Sequence, residues 1–223
     1  MTSFHFIARI VLLFAFADSL VVSAAASLAV TDSVSNGSIV LFNGETVAPI
    51  FVDTNADEAV VRAAGDLAED FARVTGTKAE IEQQISPDKK TQILIGTLGQ
   101  GGMIDRLAAE GKLDTKGISG QWESYVLQIV TNPAPNVDRA LVIAGSDRRG
   151  TIYGIYQLSK MIGVSPWYWW ADVPVPKKKM LALTGDIIKQ GPPDVKYRGF
   201  FINDEDWGLN PWAKKTFDPQ FGN

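Results

Sequence analysis

Apolar positions along the chain repeat with two periods, and the switches between them mark out its elements. Ser38–Phe42 and Pro49–Val52 are short apolar runs joined through Asn43-Gly44, which predicts a hairpin. Asn55, with Glu58 following it, resembles a capping box. Val60, Ala64, Leu67, Phe71 and Val74 then recur at helical spacing until Gly76, so the stretch predicts an amphipathic helix. Lys78–Glu82 reads as an edge strand and Thr91–Thr97 as a buried one, running into the glycine-rich Gly96–Gly102 and a short helix over Met103–Ala109. Glu123–Val130 is a further strand, broken by Asn132-Pro133-Ala134-Pro135-Asn136, and Ala140–Ala144 is its fully apolar successor. Ile152, Ile155, Leu158 and Ile162 share one face of a last helix, capped by Ser146 or Asp147. Strands followed by helices in this order predict a compact mixed-sheet α/β layer ending near Ile162.

Beyond that layer the pattern changes to clustered aromatics. Ser165–Val173 reads S-P-W-Y-W-W-A-D-V, and five of the six tryptophans lie between Trp167 and Trp212. Such rings suit either a hydrophobic seam or a sugar platform, with Trp169 and Trp170 the candidates for the second role. Pro174, Pro176, Lys177–Lys179 and Gly191-Pro192-Pro193 have linker composition and bracket a strand over Met180–Leu183. The chain then reaches K-Y-R-G-F-F-I-N-D-E-D-W-G-L over Lys196–Leu209. Tyr197, Phe200, Phe201 and Ile202 predict a strand buried on both faces, delivering Asp204, Glu205, Asp206 and Trp207 to its rim. The residues after Lys196 are far fewer than the rest of a (β/α)8 barrel, which needs about 250 in all.

Composition narrows the chemistry. With 223 residues, 46% hydrophobic and 21% charged, the chain can build one substantial core. A net charge of −4 gives no basic field, so nucleic-acid binding is discarded. The first 26 residues carry Arg9, an apolar run over Ile10–Val22 and Ser23-Ala24-Ala25-Ala26, the pattern of a secretory signal peptide. The expectation is a secreted, extracellular mature chain with no membrane span, and Asn36-Gly37-Ser38 as a glycosylation sequon. There is no cysteine, and the single histidine, His5, lies in the signal segment. Disulfides, thiolate or imidazole metal sites and Ser-His-Asp catalysis are thereby excluded, leaving carboxylates, lysines and tyrosines as acids and bases. Neither metal nor cofactor is expected. Gly99-Gln100-Gly101-Gly102 lacks the lysine and spacing of a P-loop and reads better as a plain turn. Arg148 or Arg149 could hold a carboxylate, although a helix cap at this turn is the favoured reading.

Three stretches carry a resemblance: A-G-S-D-R-R-G-T-I-Y-G-I-Y over Ala144–Tyr156, I-G-V-S-P-W-Y-W-W-A-D-V-P-V over Ile162–Val175, and Y-R-G-F-F-I-N-D-E-D-W-G-L over Tyr197–Leu209. Together they resemble glycoside hydrolase family 115, the xylan α-1,2-glucuronidases. The resemblance implies an N-terminal domain like those preceding α-glucuronidase and hexosaminidase barrels, then a catalytic (β/α)8 barrel whose first strand is Tyr197–Asn203. The implied division is a signal peptide over 1–26, the α/β domain and linker over 27–190, and the start of a truncated barrel over 191–223. The implied reaction is inverting removal of (4-O-methyl)glucuronic acid from glucuronoxylan, with the catalytic acid and base outside this chain and the chain alone inactive. Asp206 and Trp207, with Asp204, Glu205, Trp169, Trp170 and Arg148, are the implied substrate-binding residues. Asp204 or Asp206 capping a following helix is the competing reading. A non-catalytic carbohydrate-binding or scaffolding α/β module is the alternative for the chain as a whole.

Overall fold

The computed structural model describes residues 27–201 together with Asn203 and Pro211. Its strands are β1 (Ala29–Thr31), β2 (Ile39–Phe42), β3 (Ile50–Val52), β4 (Ile81–Glu82), β5 (Thr91–Thr97), β6 (Tyr125–Ala134), β7 (Val137–Gly145), β8 (Leu181–Thr184) and β9 (Ile187–Gln190). The helices are α1 (Glu58–Thr75), α2 (Met103–Ala109), α3 (Arg148–Ile162) and the single turn α4 (Tyr168–Ala171). Six strands form one sheet in the order β4-β3-β5-β7-β6-β9. Four neighbours, β4, β3, β5 and β7, run parallel, whereas β6 is antiparallel to both β7 and β9. The sheet is therefore mixed, as expected. A second, antiparallel sheet has the order β1-β8-β2.

Strand alternation divides the core into two layers. Ile50, Ile93, Ile95, Leu127, Leu141 and Ile143 face α1 and α3, whose Val60, Ala64, Leu67, Phe71, Val74, Ile155, Leu158 and Ile162 are all fully buried. The residues between them, Phe51, Leu94, Val126, Val142 and Ala144, face α2 through Ile104 and Leu107. Leu28, Ile39, Leu41, Leu181 and Leu183 of the small sheet extend the first layer. The tightest joint is where β7 turns into α3. A side chain at Gly145 would meet the Thr151 backbone nitrogen at 2.0 Å, and one at Gly150 would meet the Ser124 carbonyl oxygen at 2.2 Å, so both positions need hydrogen.

Local departures from the sequence reading have identifiable causes. The turn at Asn43-Gly44 exists, with the Asn43 amide bonded to the Thr46 carbonyl, yet its return arm is only a bridge at Val47. β2 and β3 then enter different sheets instead of pairing. Asp57, not Asn55, caps α1 by accepting from the Ala59 amide, while the Asn55 side chain donates to the Gln100 carbonyl. The expected break at Asn132–Asn136 is a bulge inside β6, and only Pro135-Asn136 make the turn into β7. Gly76 ends α1 at φ 88° as predicted, and Asp147 caps α3.

The largest correction falls on the C-terminal stretch. Residues 196–201 form no strand, and Tyr197, Phe200 and Phe201 are 86%, 92% and 95% exposed instead of buried. An apolar run predicts burial only when something packs on it, and these rings stay exposed, with the Lys196 ammonium 5.8 Å over that of Tyr197. Ile202 and the acid cluster lie outside the described residues, so the strand expected over Tyr197–Asn203 is described only in part, by exposed residues outside any strand. Asn36 is exposed in the turn ahead of β2. No helix of the described residues is long and apolar enough to cross a membrane.

Candidate functional site

Two polar groupings sit on the outer side of α1 and α3 and share Tyr153. The first lines a cavity of about 710 Å³ between α1, α3 and the α4 turn. Arg62, Asp66, Asp70 and Arg73 fall at helical spacing on α1; Tyr153, Tyr156, Gln157 and Lys160 fall likewise on α3. Tyr168, Trp170 and Pro166 complete the wall. The Tyr156 hydroxyl donates to Asp66 at 2.8 Å; burial first, and then this carboxylate, push the phenol up to about 12. Arg73 donates to Asp70 at 2.7 Å and lies 5.2 Å over the Tyr168 ring. Burial raises the Asp70 carboxyl above its ordinary value although Ser159 and Arg73 pull it the other way. The Ser159 hydroxyl stands beside that carboxylate without closing a well-formed hydrogen bond. The cavity thus combines aromatic walls with a close, largely buried Arg73–Asp70 pair and an exposed Arg62–Asp66 pair at 3.5 Å.

The second grouping joins β6, α3 and the C-terminal segment. Glu123 is buried, at a left-handed φ of 51° that non-glycine residues rarely adopt. Its amide donates to Asp147 Oδ2 at 2.8 Å, and Asp147 Oδ1 accepts from the Gly150 amide at 2.7 Å. The carboxylate receives Arg149 Nε at 2.9 Å on one oxygen and Arg198 Nη2 on the other. Both guanidinium groups also donate to the Tyr153 hydroxyl, at 2.8 and 3.1 Å, and Arg198 lies 5.9 Å over the Trp122 ring. One buried carboxylate therefore anchors two arginines distant in sequence, and Arg198 ties the C-terminal segment to the α/β layer.

Of the residues singled out in the sequence, Trp170 lines the cavity and is 62% exposed. Trp169 is in α4, and Asp204, Glu205, Asp206 and Trp207 lie outside the described residues. Arg148 does hold a carboxylate, but an internal one: it pairs with Asp57 at 3.2 Å. The cap reading of that turn is also met, through Asp147. The glycine-rich turn before α2 is no free anion cradle, because the Gly99 and Gly101 amides already donate to the Asp105 carboxylate at 2.7 and 2.5 Å. Among the described residues, no group of three or more potential metal ligands converges. Sequence reasoning missed Asp70, Tyr156, Glu123 and Arg198. The only sequence signal for the first two is a polar stripe beside the apolar face of each helix, which ordinarily marks a solvated surface.

Residues 190–223 match the profile of glycosyl hydrolase family 115, starting where β9 ends. A solved family 115 4-O-methyl-α-glucuronidase, with specificity for decorated arabinogalactans, is similar over 82% of this chain at 33% identity and a TM-score of 0.66. The chain resembles glycosyl hydrolase family 115 in both comparisons, and it spans 22% of that enzyme's length. Its fold is also similar to a second structure, CpGH84D, over 86% of this chain and 27% of the other, at 15% identity and a TM-score of 0.50. A Streptomyces plicatus β-hexosaminidase matches over 86% of this chain and 31% of its own, at 16% identity and a TM-score of 0.41. Among curated proteins, none matches.

Proposed function

We propose that this chain is the N-terminal part of a secreted glycoside hydrolase that removes (4-O-methyl)glucuronic acid from glucuronoxylan with inversion. The observation that carries the reading is the 33% identity to a 4-O-methyl-α-glucuronidase across 82% of the chain. An exported protein suits a plant-wall polysaccharide too large to enter a cell, and the signal-like first 26 residues support export. On this reading residues 27–190 are a domain of the kind that precedes α-glucuronidase and hexosaminidase barrels, and 191–223 open a (β/α)8 barrel.

Inverting hydrolysis needs a carboxylic acid at the leaving oxygen and a carboxylate activating water, about 6.5–9.5 Å apart. In the reading proposed here, that pair belongs to later barrel strands, and Asp204, Glu205, Asp206 and Trp207 form one wall of the uronate pocket. The 223-residue chain alone is then a supporting module without turnover. The relative's specificity for decorated arabinogalactans makes the backbone, not the uronic acid, the finer question. The test incubates the whole protein, and separately the purified 223-residue chain, with glucuronoxylan and with uronate-bearing arabinogalactan. The whole protein is expected to release (4-O-methyl)glucuronic acid as the β-anomer from glucuronoxylan, and the chain none. Release by the chain alone, or no uronic acid from the whole protein on glucuronoxylan, overturns the proposal.

A further inference from the structure

The cavity between α1, α3 and α4 has the size and lining of a ligand site. Its volume of about 710 Å³ lies within the roughly 300–1,000 Å³ common to small-molecule sites. Its composition is equally specific. Tyr153, Tyr156, Tyr168 and Trp170 supply ring faces, while Asp66 and Asp70 supply fixed acceptors. A lipid tail is disfavoured, because it would leave the largely buried Arg73–Asp70 pair in the wall without water or polar partners. A pyranose suits both features, since it has an apolar C–H face for a ring and a rim of hydroxyls for carboxylates.

Charge refines the ligand. Arg62 is paired with Asp66 and Arg73 with Asp70, so these four groups sum to neutrality. Lys160 lines the same cavity and has no carboxylate partner among the described residues. The wall therefore carries one surplus positive charge beside its aromatic faces.

We propose that this cavity is a carbohydrate-binding site that takes a short xylo-oligosaccharide bearing a single uronate. Trp170 stacks on a sugar ring, Asp66 and Asp70 accept from hydroxyls, and Lys160 faces the carboxylate. The choice of a uronate-bearing xylan fragment rests on the function proposed above. A site of this kind would keep the enzyme on decorated regions of the polymer by raising the local concentration of the next side chain.

The test is calorimetric titration of the 223-residue chain with 4-O-methylglucuronosyl xylotriose and with plain xylotriose. The uronate-bearing sugar is expected to bind about tenfold more tightly, a difference of about 1.4 kcal/mol. Lys160→Gln, an exposed change that leaves the core untouched, is expected to abolish that preference. Trp170→Ala is expected to weaken both sugars, and Trp167→Ala, which does not line the cavity, neither. Circular dichroism of each variant shows that the fold is retained. No measurable heat, equal affinity for the two sugars, or loss on Trp167→Ala with retention on Trp170→Ala overturns the proposal. Because turnover by the whole protein is measured separately, failure here with normal uronic acid release sinks only the binding site proposed for this cavity.

Discussion

The two halves of this molecule use aromatic and aliphatic residues in opposite ways. In the α/β layer, Phe71, Leu67, Ile93 and Leu141 are fully buried, each on a face that its own secondary structure turns inward. Around the α4 turn and after β9, by contrast, Trp167, Trp170, Tyr197, Phe200 and Phe201 are all more than half exposed. Both halves look hydrophobic along the sequence, but only the first brings its own cover. Hydrophobicity thus supplies stability in one region and surface for contact in the other.

The largest expected effect tests that contrast directly. Phe71→Ala should destabilise the fold by about 3–5 kcal/mol, because it removes a fully buried ring and leaves a cavity between α1 and the sheet. Phe201→Ala, at 95% exposure, should stay within about 0.5 kcal/mol. Urea midpoints of the two variants check both values. Equal losses would mean that Phe201 packs against something in solution and that the contrast is false.

The same contrast explains what could be read from the sequence. Helical spacing in α1 and α3, the buried strand β5 and the αL glycine at Gly76 are local signals, and each was legible because the periodic residues meet a sheet built from the same stretch of chain. β9 was missed because Ile187–Gln190 is four residues with little alternation, and it becomes a strand only by pairing with β6 far back in the sequence. Asn55 was mistaken for the cap because Asp57 offers the same chemistry two residues on, and tertiary contact with Gln100 draws Asn55 away. Tyr197–Asn203 reads as a buried strand from its apolar run, which carries no information about the covering partner. For the site, Trp170 and Arg148 were visible as residue types. The Glu123–Arg198 pair spans too much sequence for spacing to disclose it, and Tyr153 joins it to the cavity only through the packing of α3.

A smaller effect is expected at the joint between the two halves. Glu123→Gln keeps the shape but removes the charge that holds both Arg149 and Arg198. The α/β core should keep its protection, since Arg149 and Arg198 lie at the surface edge of the pair. Amide exchange of residues 196–201 should quicken several-fold, and raising the salt concentration on the unaltered chain should move it the same way. Unchanged exchange in the variant would show that Arg198 is not what ties this segment down.

The smallest effect is confined to alkaline pH and sharpens the description of the cavity wall. The Tyr156 hydroxyl donates to Asp66, so only the protonated phenol makes the bond, and burial with this carboxylate pushes it up to about 12 from an ordinary 10.0. A folded-state value above the unfolded one means that the native chain holds the proton longer. The contribution to stability is therefore complete below pH 10 and is lost as the pH rises through about 12. Tyr156→Phe lacks that proton, so it should be less stable than the unaltered chain at neutral pH. The two should converge as the pH climbs through this window. Because Tyr156 is 45% exposed, solvent screens the interaction and the difference should be modest. Urea midpoints of both proteins across pH 9–12.5 check the convergence, starting about one unit below the ordinary value and ending about half a unit above the shifted one. Parallel curves would show that Tyr156 ionises like a solvated phenol, and that the wall the proposed sugar meets is looser than the packed pair described above.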